Sequence, residues 1–140
     1  MHFQLISATG IEFDEPVYEV IVPTKDGTIV LYKDHMPLIS TGAPGVLSIR
    51  KKQSDSNQSM EHFAVYGGII QIDGKNARFV TDDVTTTDEV SESESKAALE
   101  RARELVKSAD SRTALHEARS IMLHHEARLH LAQIKSRHHR

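Results

Sequence analysis

The side chains able to do chemistry in this sequence are mostly histidines and carboxylates. His35 lies in the turn-rich stretch "LYKDHMPLISTGAPG". Asp82-Asp83 is a carboxylate pair, and His116, His124, His125 and His130 lie near Glu126, with His138-His139 beyond them. A metal site on one helical face needs two histidines four residues apart. The closest separations among His116, His124, His125 and His130 are 1, 5, 6 and 8, so a polar helix face is expected. Asp82 and Asp83, read as neighbours on a strand, point to opposite faces, so a solvated strand end is expected there. The sequence has no Gly-rich phosphate loop with Lys-Ser/Thr, no G-x-S-x-G and no H-E-x-x-H. With no cysteine, thiol catalysis, zinc–thiolate sites and disulfides are excluded together. No catalytic residue and no metal site is assigned. The histidines matter instead as titratable charge: six of the nine fall after residue 90, and each changes charge near pH ~6.5. Acidification is therefore expected to make the C-terminal part more basic and to strengthen its contact with an acidic partner.

The elements that would position these groups divide the chain in two. Residues 1–90 carry 7 Lys/Arg against 13 Asp/Glu, whereas residues 91–140 carry 10 against 7, so the two parts differ in chemistry and are expected to meet different partners. Aromatics are 5% of the chain and Trp is absent, which predicts an aliphatic core. No segment offers the ~20 apolar residues of a membrane span. The start, "MHFQLISATG", lacks a basic region followed by an apolar run, so no signal peptide is expected. Membrane association is then expected only through partners.

The first part reads as seven to ten short strands: "HFQLISA", "VYEVIVPT", "GTIVLY", "GVLSIRKK", "HFAVYGG", "GIIQIDG" and "ARFVTDD". Lys25-Asp26-Gly27, the Gly42–Gly45 stretch, Gly67-Gly68 and Asp73-Gly74 supply the turns, and residues 53–59 read as a flexible hairpin loop. No helical pattern separates the strands, so an antiparallel sandwich or barrel is expected. After Thr87 the period changes. Ser91 and Glu94 form a candidate capping box, and Leu99, Ala102, Leu105, Val106 and Ala109 follow at helical spacing. Asp110 or Ser111 caps a second helix, about residues 112–136, with Leu115, Ala118, Met122, His125, Leu129 and Ala132 on one stripe. The two helices are expected to form an antiparallel hairpin whose Ala-rich stripe packs weakly enough to detach.

The run "DGTIVLYKDHMPLISTGAPGVLSIR" resembles the signature region of the epsilon subunit of F-type ATP synthases. Asp26-Gly27, Tyr32, His35-Met36-Pro37-Leu38 and Pro44-Gly45 carry the likeness, "FAVYGGIIQI" resembles the second shared segment, and "RFVTDDV" the last strand before the helices. The resemblance, of the bacterial type, spans essentially the whole chain. It implies a flattened antiparallel β-barrel or β-sandwich of about ten strands over residues 1–87 and a C-terminal helical hairpin over residues 88–140. It implies a non-catalytic subunit of the central rotor stalk, coupling proton or sodium transport in the rotor ring to ATP synthesis. Its implied partners are the gamma subunit, the ring c subunits and, if the hairpin extends, the beta and alpha subunits. It does not imply nucleic acid. The implied location is peripheral, on the cytoplasmic side of the bacterial cell membrane.

Carried over residue by residue, Thr28, Lys33, Asp34, His35 and Met36 are the expected rotor-ring contact. Arg112, Arg119, Arg128, Lys135 and Arg137 are the candidates for an inhibitory contact with beta subunits. The ATP motif of some family members is degenerate here: Ser91 replaces its acid and Glu94 its arginine, while Arg101 and Arg128 keep basic positions and another falls on His124. Weak or absent ATP binding is expected, and no cofactor. Two alternatives stay open, a coupling-only subunit without inhibition and a free-standing ligand sensor with a regulatory helical arm.

Overall fold

A computed structural model describes residues 1–138; His139 and the expected end of the helical region at Arg140 lie outside them. The element order is β1 (His2–Ser7), β2 (Gly10–Pro16), β3 (Glu19–Thr24), β4 (Gly27–Tyr32), β5 (Leu38–Arg50), β6 (Glu61–Ile72), β7 (Asn76–Val80), β8 (Val84–Thr86), α1 (Glu92–Ser108) and α2 (Arg112–His138). The strands run in the order β2-β1-β7-β6-β5-β3-β4, with β8 added against β6.

Eight strands suffice where about ten were expected because β5 and β6, of 13 and 12 residues, each serve both layers. The first part of β5 and the second part of β6 lie with β7, β1 and β2. Their other halves lie with β3, β4 and β8. The bend falls where Gly42 pairs with Gly68. Gly68 has φ 141°, and a Cβ there would stand 2.0 Å from the Val80 carbonyl oxygen; a Cβ on Gly42 would meet the Phe79 ring at 2.6 Å. Only glycine fits both positions. One adjacency departs from the all-antiparallel expectation: β1 and β7 are parallel. They are joined through the whole intervening sandwich, so no local pattern announces the pairing.

Strand alternation supplies the core. Phe3, Leu5, Val20, Val22, Leu31, Leu47, Ile49, Ile70 and Phe79 are fully buried. The expectation of an aliphatic core needs correction, because all four phenylalanines of the chain lie in it. Phe13 of β2 sits 6.1 Å from the Phe3 ring and 6.2 Å from the Phe63 ring, closing one layer on the other. The 53–59 loop is also pinned where a flexible one was expected. Arg50 Nε donates to the buried Glu19 carboxylate at 3.0 Å, and its other nitrogens reach the Asp55 carbonyl and Asn57 Oδ1.

The helices cap as the sequence predicts. Ser91 Oγ accepts from the Glu94 N–H, and Ser111 Oγ accepts from the Ala114 N–H at 3.1 Å. Helix α1 packs on α2, and α2 lies on the outer side of β5 and β6. Val46, Ala64 and Thr85 form a lateral row across β5, β6 and β8, and its small side chains leave a shallow bed for α2. Ala127, Leu131 and Ala132 fill the bed together with Val90.

Candidate functional site

The candidate site is a set of surfaces. Strand β4 ends the sheet path, and its alternation buries Leu31 while exposing Thr28, Val30 and Tyr32 on one side. From Tyr32 the chain enters the loop that carries Lys33, Asp34, His35 and Met36. Asp34 holds a left-handed φ of 66°, and its N–H donates to the Gly74 carbonyl at 2.9 Å. The His35 N–H donates to the Tyr32 carbonyl, and its Nδ1 bonds the Met36 carbonyl at 2.7 Å. These bonds tie His35 into the turn and turn Met36 outward, 78% exposed. The loop thus brings together Lys33 to Met36, whereas Thr28 stands at the far end of β4, about 15 Å away at ~3.3 Å per residue. Val30 and Tyr32, which are not among the residues expected in the rotor-ring contact, bridge that gap with exposed apolar surface. Their period-two alternation in "GTIVLY" was the available signal.

A second surface is the outer side of the layer formed by β5, β6, β7, β1 and β2. The register sets Thr41 beside Ile69, Ile69 beside Val80, Val80 beside Ile6 and Ile6 beside Ile11. Ile11, Ile69 and Val80 are 61%, 55% and 46% exposed. Single exposed apolar residues are ordinary, but an apolar row continuous across the four strands β6, β7, β1 and β2 is a candidate partner surface.

The third surface is the hairpin seam. The five basic residues expected to act together are divided by the folded position of α2. Arg112, Arg119 and Arg137 recur on its exposed side, while Arg128 and Lys135 lie half-buried on the inner side. Lys135 lines a cleft of ≈ 370 Å³ between α2 and the β6 entry, near Glu61, His62 and Asp88. Arg128 shares another, of ≈ 320 Å³, with Glu94, Ser95, Arg101 and His125. Glu94 thus adds a carboxylate to the lining of the cleft that holds the two arginines, and Ser91 is engaged as the α1 cap.

His124 and His125 both turn inward. The His124 ring stands edge-on to Tyr66 of β6, centroids 4.7 Å apart, with Nε2 3.5 Å from Asp83 Oδ2. Burial lowers its pKa; Asp83 opposes that shift, and His125 and Arg128 add to it. His125 is lowered by burial and then by Arg128 and Arg101. The single stripe drawn for α2 from sequence is therefore too narrow, for it omits His124, Ala127 and Leu131. Asp82 and Asp83, expected on a strand, lie exposed in the β7–β8 connection, which lets Asp83 approach His124. Among the described residues no three His, Asp or Glu side chains are grouped to hold a metal ion, and no helix is long and apolar enough to cross a membrane.

Residues 1–87 match the family described as the ATP synthase delta/epsilon chain, β-sandwich domain. The chain is 28% identical over 104 residues to an ATP synthase epsilon chain of Sulfurihydrogenibium sp. (strain YO3AOP1), covering 74% of this chain and 75% of that one. It is 29% identical over 106 residues to the epsilon chain of Dichelobacter nodosus, covering 76% and 71%. Among solved structures, a chain of the Euglena gracilis mitochondrial ATP synthase OSCP/F1/c-ring assembly superposes with a TM-score of 0.76. It is 17% identical, and the match covers 89% of this chain and 76% of that one. A chain of the Tetrahymena thermophila mitochondrial ATP synthase central stalk/c-ring gives 0.61 at 17% identity, covering 91% and 96%. At that identity the likeness concerns the fold.

Proposed function

The chain belongs to the ATP synthase delta/epsilon family as a non-catalytic epsilon-type subunit, and we propose that it couples rotation of the membrane ring to ATP synthesis. The observation that carries the reading is the pair of separate, exposed contact surfaces on one rigid sandwich. The apolar row Ile69–Val80–Ile6–Ile11 takes the gamma subunit. The β4 edge and its loop, Thr28, Val30, Tyr32 and Lys33 to Met36, take the polar loops of the ring c subunits. An adaptor that transmits torque needs two faces on a stiff body, and the fully buried core supplies the stiffness. The complex works at the cytoplasmic side of the bacterial membrane, and the chain reaches the membrane only through it.

Residues 1–87 serve as the coupling unit and residues 88–140 as a regulatory one. Released from its bed, α2 would extend about 40 Å, from its 27 residues at ~1.5 Å each. It would then present Arg128 and Lys135 beside Arg112, Arg119 and Arg137 to acidic groups of the beta subunits, opposing ATP hydrolysis. ATP binds weakly, because Glu94 lines the same cleft as Arg101 and Arg128, where a phosphate would need cations alone. Reconstitution of the complex with the chain lacking residues 91–140 tests the division. Synthesis should persist while hydrolysis rises; lost synthesis would move coupling into the hairpin, and unchanged hydrolysis would exclude inhibition. Calorimetric titration with ATP should give no low-micromolar binding.

A further inference from the structure

We propose that His124 and His125 form a proton-sensitive latch that holds the helical hairpin on the sandwich when both are neutral and releases it when they are protonated. The geometry carries this. His124 is a polar residue of α2 held against β6, its side chain 12% exposed and its ring against Tyr66. Its Nε2 faces Asp83, while its buried Nδ1 has no hydrogen-bond partner. A neutral imidazole fits this arrangement, with the proton on Nε2 toward the carboxylate and the Nδ1 lone pair left without a donor. An imidazolium does not, because its second N–H would be a buried donor without an acceptor.

His125 meets the same difficulty on the α1 side. Its Nδ1 is buried without a partner, and so are Arg128 Nε and Ser95 Oγ in the same cleft. A proton on His125 adds a third positive charge beside Arg101 and Arg128, against which Glu94 is the one carboxylate lining the cleft. Asp83 plays that part for His124, but its side chain is 61% exposed, so water screens the attraction. Both imidazoles are accordingly held below their ordinary value when docked. On release the pKa values return to about 6.5. The docked state thus binds fewer protons than the released one. Docking is strongest above pH ~6.5 and is lost as pH falls from there through the docked-state values, by up to about tenfold per pH unit for each proton taken up.

This goes beyond the proposed function, because the latch is a property of the chain itself whether or not the released hairpin inhibits anything. The chain has no native cysteine, so spin labels can be placed singly. Labels at Asp26→Cys on the sandwich and Glu117→Cys on α2, both at exposed positions, report docking in the full chain. The ratio of released to docked molecules should rise at least about fivefold from pH 8 to pH 5.5. The variant His124→Phe with His125→Gln keeps a ring against Tyr66 and cannot titrate at either site, so its ratio should stay constant within about twofold. A flat wild-type ratio overturns the latch, as does equal acid release in the double variant, which would point to His62, His116 or His130. If the double variant fails to dock at pH 8, NMR titration of wild-type His124 and His125 decides. Values at or above 6.5 in the docked chain overturn the proposal, and values below it support it.

Discussion

The two halves of the molecule bury themselves by different means. The sandwich cluster holds sixteen buried apolar residues, among them every phenylalanine, drawn from strands scattered over the first 84 positions. The seam between α2 and the sandwich is built on Ala64, Val90, Ala127, Leu131 and Ala132, with Val46 at its edge. Burying a side chain the size of Leu or Phe contributes about 1.5–3 kcal/mol, and an alanine well under half of that. The sandwich is therefore the permanent body, and the hairpin a part whose attachment small changes can shift. The polar content of the seam points the same way. The buried ion pair of the sandwich, Glu19 with Arg50, is paired at 3.0 Å, whereas His124, His125, Arg128 and Ser95 each leave a buried atom without a partner at the hairpin. Unmatched buried polar atoms weaken an interface.

This contrast is open to direct attack. The largest effect is expected from Phe79→Ala, which removes a fully buried ring that also packs on Gly42; denaturant unfolding should show a loss of about 3–5 kcal/mol. Gly68→Ala should cost several kcal/mol in the same assay through the clash with the Val80 carbonyl, and wild-type stability for this variant would refute the account of the bend. Leu131→Ala should cost about 2–3 kcal/mol, felt in hairpin docking: amide exchange in α2 should accelerate while β5 and β7 keep their protection. Equal acceleration in the strands would make the two halves one cooperative unit. Ser111→Ala should weaken the start of α2 by about 1 kcal/mol, seen as greater fraying of residues 112–115. The smallest effect is expected at Arg103→Ala, whose exposed pair with Glu100 contributes less than about 0.5 kcal/mol to helix stability.

Much of this contrast is legible in the sequence where the determinants are local. Alternation in "GTIVLY" and "GVLSIR" places Leu31, Leu47 and Ile49 inward, and Ser91 and Ser111 mark both helix starts. The turn glycines and the change of period after Thr87 are equally local. The Lys33–Met36 loop is visible as a cluster of turn residues, yet its extension through Val30 and Tyr32 depends on β4 being the sheet edge, which no short window reveals. The basic residues of α2 are visible as a set, but their division into exposed Arg112, Arg119 and Arg137 and half-buried Arg128 and Lys135 is not. It depends on which side of α2 meets the bed formed by Val46, Ala64 and Thr85.

By itself the sequence determined the order of elements, the β-then-α division, the absence of thiol chemistry and the family likeness, because those follow from spacing along the chain. Only the tertiary structure decided that β1 runs parallel to β7, that four phenylalanines knit an otherwise aliphatic core, and that His124 and His125 turn inward as half-buried groups. Each of these depends on residues far apart in sequence meeting across a packed boundary. Burial and unmatched hydrogen-bonding atoms are properties of that boundary, and they turn two helix histidines with no metal-site spacing into groups whose charge the fold resists.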